Sequence, residues 1–154
     1  QPEEAEFGCL RYQPPSPKRP RCVSYHIHNP LQPRSILDAP AYVADCFRRL
    51  MDDAEARHGA DSLMTGTWLN SHPRWLALFP REYLDNMGPE EGDIRGGNGF
   101  WGQFLNARGV FNARFGEHFR RTGELPYWRR TARCSFAAMR ARLARFALQG
   151  PSDE

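Results

Sequence analysis

A long amphipathic helix held between two short strands constrains this chain more than any other feature. Val43, Phe47, Leu50 and Ala54 recur at helical spacing, with Cys46 and Met51 beside them. Arg48, Arg49, Asp52, Asp53 and Glu55 form the wet side. Asp38 suits an N-cap, Pro40 fits a first turn and Gly59 supplies a stop, so the spacing predicts a helix over 39–58. Before it, Cys22 to Ile27 alternates apolar Val23, Tyr25 and Ile27 with polar Ser24 and His26, and His28 continues the polar series. After it, Leu63 to Leu69 reads as a second strand, with Gly66 marking a close approach. Strand, long helix and strand imply a βαβ unit with parallel strands.

The rest of the chain adds less. Residues 1–21 hold five prolines and read as an extended arm, and 149–154 read as a tail. Ser71 is a second N-cap candidate before Pro73, and Trp75, Leu76 and Phe79 give a short helical turn. Gly88 to Gly99 is a glycine-rich loop, read either as a lid or as a surface linker. Phe100 to Thr122 shows a helical stripe of phenylalanines. Thr131 to Phe136 is a third strand, and Ala137 to Leu148 a closing helix packed through Met139, Leu143 and Phe146. The expected fold is α/β, a single compact domain over 22–148 with a small, partly parallel, three-stranded sheet. The alternative is α+β with an antiparallel third strand.

Polar residues gather where both strands of the βαβ unit end: His28-Asn29 after the first, Asn70-Ser71-His72 after the second. Ligands of open α/β sheets sit beyond the carboxyl ends of the strands, so these residues mark the expected crevice. Three uses are open. His26, His28 and His72 are metal ligands for an ion such as Zn or Fe. Otherwise one histidine is a general acid or base, oriented by Asn70 or Ser71. In the third reading the imidazoles only brace the fold. Asn29, Arg34, Arg95, Trp101 and Gln103 are the candidate substrate-binding residues, the arginines as clamps for a carboxylate or phosphate.

No nucleotide cofactor is expected. Gly96, Gly97, Gly99 and Gly102 match a dinucleotide fingerprint only loosely and follow no strand, and the sole lysine, Lys18, belongs to no P-loop. The four cysteines show no C-x-x-C spacing and read as free thiols of a reducing cytoplasm. No apolar run approaches the ~20 residues of a membrane span. A net charge of +3 is a mild excess, which makes nucleic acid an unlikely partner. The leading expectation is a small enzyme acting on a polar, anionic small molecule. The rival is an interaction module binding protein or nucleic acid through the Pro-rich arm and the Arg140, Arg142 and Arg145 helix. The sequence leaves the oligomeric state open.

Overall fold

The computed structural model describes residues 5–89 and 129–149. They form a mixed α/β domain around a five-stranded sheet in the order β1-β2-β3-β4-β5. The strands are β1 (Ala5–Phe7), β2 (Leu10–Gln13), β3 (Cys22–Ile27), β4 (Ser62–Thr67) and β5 (Arg130–Ser135). Only β3 and β4 run parallel among these neighbours; the other three pairings are antiparallel. The sheet thus has five strands where three were expected, and the last pairs antiparallel. The two additional strands come from the stretch read as an arm. Its prolines fall almost entirely between Pro14 and Pro20, after β2 has ended, so they leave the hairpin ladder intact.

One face of the sheet is apolar. Leu10, Tyr12, Val23, Tyr25, Ile27, Leu63, Ala132 and Cys134 are all buried on it. Helix α1 (Pro40–His58) lies across this face, with the Phe47 ring edge-on to Tyr25 at 5.3 Å and Asp53 accepting from the Tyr12 hydroxyl at 2.6 Å. Its N-cap is Ala39, which makes no side-chain capping bond. Asp38 is not the cap; it pairs with Arg74 at 2.9 Å instead. Helix α2 (Pro73–Leu76) is capped by His72 rather than Ser71. Helix α3 (Arg81–Asp85) and helix α4 (Phe136–Gln149) complete the described layer. Trp75 and Phe79 close on Phe47 at 5.9 and 5.4 Å, and Tyr83 stacks on Phe79 at 3.8 Å. Helix α4 docks against α1 through Arg140, which reaches Asp52 and Glu55 at 3.1 Å each, and through Arg48, which donates to the Leu143 carbonyl at 3.0 Å.

Two glycines adopt the left-handed conformation for different reasons. Gly59 ends α1 at φ 63°, and a Cβ there would meet nothing within 4 Å. Gly8, in the β1–β2 turn at φ 59°, would place a Cβ 2.5 Å from the Tyr42 hydroxyl and 2.6 Å from the Cys46 sulfur. Gly59→Ala therefore pays only the backbone term, about 1 kcal/mol. Gly8→Ala adds overpacking and loses about 2–4 kcal/mol in total. Urea unfolding of both variants checks the order, and equal losses would show that the hairpin turn is not pressed onto α1.

Candidate functional site

The β3–β4 seam is short. Its parallel ladder pairs Cys22 with Ser62, Val23 with Leu63 and Ser24 with Met64, and there it stops. Both strands nevertheless run on, β3 to Ile27 and β4 to Thr67. The cause lies with their outer neighbours. Tyr25, His26 and Ile27 stay in register with Tyr12, Arg11 and Leu10 of β2. Thr65, Gly66 and Thr67 stay in register with Ala132, Thr131 and Arg130 of β5. Each strand keeps its antiparallel partner where the ladder between them ends, which makes a fork in the pairing at the carboxyl ends of two parallel strands.

Side chains brace the fork at its base. Thr65 Oγ1 donates to the Tyr25 carbonyl at 2.6 Å, in place of a ladder bond. Asn70, fully buried after β4, donates through Nδ2 to the carbonyls of Thr65 (3.2 Å) and Arg130 (2.7 Å). Its Oδ1 accepts from the Tyr83 hydroxyl at 2.7 Å. Tyr83 has spent its only proton there, so in the 2.9 Å contact between the two phenols Tyr25 is the donor. Burial, first among the causes, raises the pKa of both phenols, so both stay protonated. The brace thus joins β3, β4, β5 and α3 with every proton assigned. Tyr25 and Tyr83 were not among the candidate site residues. The available signal was a tyrosine on a buried strand face, which needs a partner for its hydroxyl.

The segments that follow β3 and β4 do meet, through Arg74 of α2, which donates to the Leu37 carbonyl and pairs with Asp38. The histidines do not gather there. His26 is exposed on the opposite face of the sheet, beside Arg11 of β2 in register. His28 turns toward the hairpin, with Nε2 3.9 Å from Glu6 and its amide bonded to the Cys9 carbonyl at 2.9 Å. His72 is buried, and its Nδ1 accepts from the Arg74 amide at 3.2 Å, capping α2. Among the described residues no group of three or more His, Cys, Asp or Glu side chains is placed to hold a metal ion. The reading of His26, His28 and His72 as metal ligands is corrected accordingly: a shared strand face and a later loop put them on three different surroundings.

Of the other candidates, Asn29 is buried within its own loop, donating to the Arg34 carbonyl (2.8 Å) and accepting from the Leu31 amide (2.9 Å). Ser71 closes the short 3-10 turn Trp68–Ser71. Arg34 is exposed in the loop after β3. Arg95, Trp101, Gln103, the 88–99 loop beyond Pro89 and the phenylalanine stripe lie outside the described residues. Arginines of β5 and α4 are engaged: Arg130 with the Gly88 carbonyl at 2.8 Å, Arg140 with α1 and Arg142 with the Ala77 carbonyl at 2.6 Å. Among the described residues no helix is long and apolar enough to cross a membrane.

Burial, and then the Arg74 charge, lowers the His72 pKa below the ordinary 6.5. Burial and Arg11 lower that of His28 in the same direction. A folded-state pKa below the unfolded one means that the unfolded chain binds protons first as acid is added. Stability from these groups is present above the unfolded value of 6.5 and is lost as pH falls through it. Unfolding midpoints at about pH 7.5 and about pH 5.5 should therefore differ, and His72→Asn, which keeps an N-cap acceptor but does not titrate, should narrow the gap. An unchanged gap would place the proton uptake elsewhere.

No protein-family profile matches this sequence. No curated protein matches it either. Solved structures do. An acyltransferase in complex with decanoyl-CoA superposes with a TM-score of 0.52 at 16% identity, over 84% of this chain and 45% of its own. An acyltransferase in complex with decanoyl-CoA and teicoplanin gives 0.49 at 16% identity, over 86% of this chain and 46% of its own. The chain thus spans less than half the length of these acyltransferases. The likeness establishes the fold. It also overturns the expectation that no nucleotide-bearing group goes with such a chain, because the matching fold occurs in a protein that binds decanoyl-CoA, an acyl thioester on a nucleotide handle.

Proposed function

We propose that this chain binds an acyl-CoA and serves acyl transfer, with the pantetheine arm of the thioester entering the fork between β3 and β4. The fork is the observation that carries the reading. The carbonyls of Tyr25 and Thr65 are filled by the brace, so it is His26–Ile27 and Gly66–Thr67, beyond it, that would offer backbone donors and acceptors to an extended ligand. An arm with two amide groups can join such an edge as a strand would. The 0.52 match to an acyltransferase holding decanoyl-CoA supports the choice of ligand.

The phosphates have a natural place beside it. Helix α1 starts just after the loop that follows β3, with no side-chain cap and no acid in its first turn. First-turn amides that no side chain caps, together with the helix dipole, favour an anion there. Arg34, exposed in the same loop, adds a charged donor. An acyl-CoA belongs to the class of polar, anionic small molecules expected from the sequence. In the reaction, an acceptor amine or hydroxyl adds to the thioester carbonyl, the C–S bond breaks and CoA leaves as its thiol. The protein's part is to hold the thioester extended while the braced strand ends stay rigid.

Calorimetric titration with CoA and with decanoyl-CoA tests the reading. Saturable binding of both is expected, and Arg34→Ala should weaken it by about ten-fold. No binding of either ligand at about 1 mM would remove the proposal. Binding that is unchanged by Arg34→Ala would move the phosphates away from the β3 loop.

A further inference from the structure

We propose that Cys9 and Cys46 form a dithiol that closes reversibly to a disulfide under a small two-electron oxidant such as hydrogen peroxide, with Cys46 as the attacking sulfur. The two come from different elements, the β1–β2 turn and α1, and both are fully buried. Gly8 brings them together: its lack of a Cβ lets the turn press directly onto the Cys46 sulfur and the Tyr42 hydroxyl. The turn is held in place by the bond from the His28 amide to the Cys9 carbonyl. Cys9 follows Gly8 directly, so its thiol and the Tyr42 hydroxyl both belong to the surroundings of the Cys46 sulfur.

The surroundings divide the labour between the sulfurs. The Arg49 guanidinium lies 3.8 Å from Cys46 Sγ, itself steadied by Asp45 at 3.1 Å. The hydrogen bond from Cys9 lowers the Cys46 pKa first, burial opposes it, and Tyr42 and Arg49 add to the lowering. Cys9 moves the other way, because it keeps the shared proton and is buried. A sulfur whose anion is favoured by an arginine, with a second thiol beside it, is the arrangement that oxidises selectively and then bridges. Cys134 is the contrast, its thiol pushed up to about 12 by burial and by the Glu82 carboxylate.

The chemistry closes. The Cys46 thiolate attacks one peroxide oxygen, the S–O bond forms, the O–O bond breaks, and hydroxide leaves with a proton as water. Cys9 then attacks the Cys46 sulfur. The S–S bond forms, the S–O bond breaks, and the departing hydroxide takes the Cys9 proton as a second water. Two thiols lose two electrons and one peroxide gains them. Peroxide is scarcely larger than water and enters by local opening of the hairpin, whose outer strand is three residues long. The bond would fasten that hairpin to α1.

Peroxide treatment of the full chain at neutral pH, followed by alkylation, digestion and mass spectrometry, is the test. A peptide joining Cys9 to Cys46 is expected, together with a fall in free thiols from four to two that a dithiol reductant reverses. In Cys9→Ser, checked for folding by circular dichroism, Cys46 should stop at a sulfenic acid that dimedone traps. The proposal fails if the wild-type chain shows no such joined peptide, if Cys22 or Cys134 reacts before Cys46, or if Cys46 passes to sulfinic acid without bridging. The wild-type readout stands even if the variant does not fold.

Discussion

Phe47→Ala should lower the unfolding free energy by about 3–5 kcal/mol, among the larger effects of any single side-chain truncation in this domain. Phe47 is the ring on which three elements converge. It meets Tyr25 of β3 edge-on at 5.3 Å, Trp75 of α2 at 5.9 Å and Phe79, just before α3, at 5.4 Å. All four rings are buried, and Trp75 and Tyr25 completely so. Large rigid neighbours collapse poorly, so the truncation leaves most of its cavity open and forfeits both transfer energy and ring contacts. Denaturant unfolding gives the number. A loss under about 1 kcal/mol would mean that the rings repack and that α1 is not fixed by this cluster.

Asn70→Ala should cost a comparable amount, about 3–5 kcal/mol, by a different mechanism. The side chain fills no large volume. It satisfies the carbonyls of Thr65 and Arg130 and receives the Tyr83 proton, all in the buried base of the fork. Removing it strands three polar groups away from water, each costing about 1–3 kcal/mol. A double-mutant cycle with Tyr83→Phe separates the shared part, expected at about 1–3 kcal/mol of coupling. A coupling near zero would show that the phenol finds another acceptor, and that the brace is two independent contacts.

The parts of this fold that sequence reveals are those set by local periodicity. Val23, Tyr25 and Ile27 alternate onto the buried face, and the α1 stripe of Val43, Phe47, Leu50 and Ala54 faces the sheet. Alternation also separates His26 from that face. It cannot tell whether the remaining face is a crevice, and His26 lies open beside Arg11. The N-terminal hairpin is harder to read. Its only buried alternation is Leu10 and Tyr12, and its stability comes from pairing with β3, beyond the prolines. Asn70 shows the same limit more sharply. As a residue after a strand it reads as one that orients a catalytic histidine, yet its partners lie 5, 13 and 60 positions away. The fork has no residue signature at all. It arises because two strands obey different antiparallel partners, and a search for glycine-rich fingerprints does not reach it.

The pairing of Leu63 with Cys134 has a bearing on how the chain emerges from the ribosome. Everything from β1 to α3 is made before the stretch that separates α3 from β5, at a few residues per second or faster. Until Arg130–Ser135 follows, β4 has no neighbour on its far side, and the carbonyl of Arg130 that Asn70 needs does not yet exist. For those seconds the nascent polypeptide presents a raw margin, and any delay in translating the intervening stretch lengthens its exposure to aggregation and to chaperone capture.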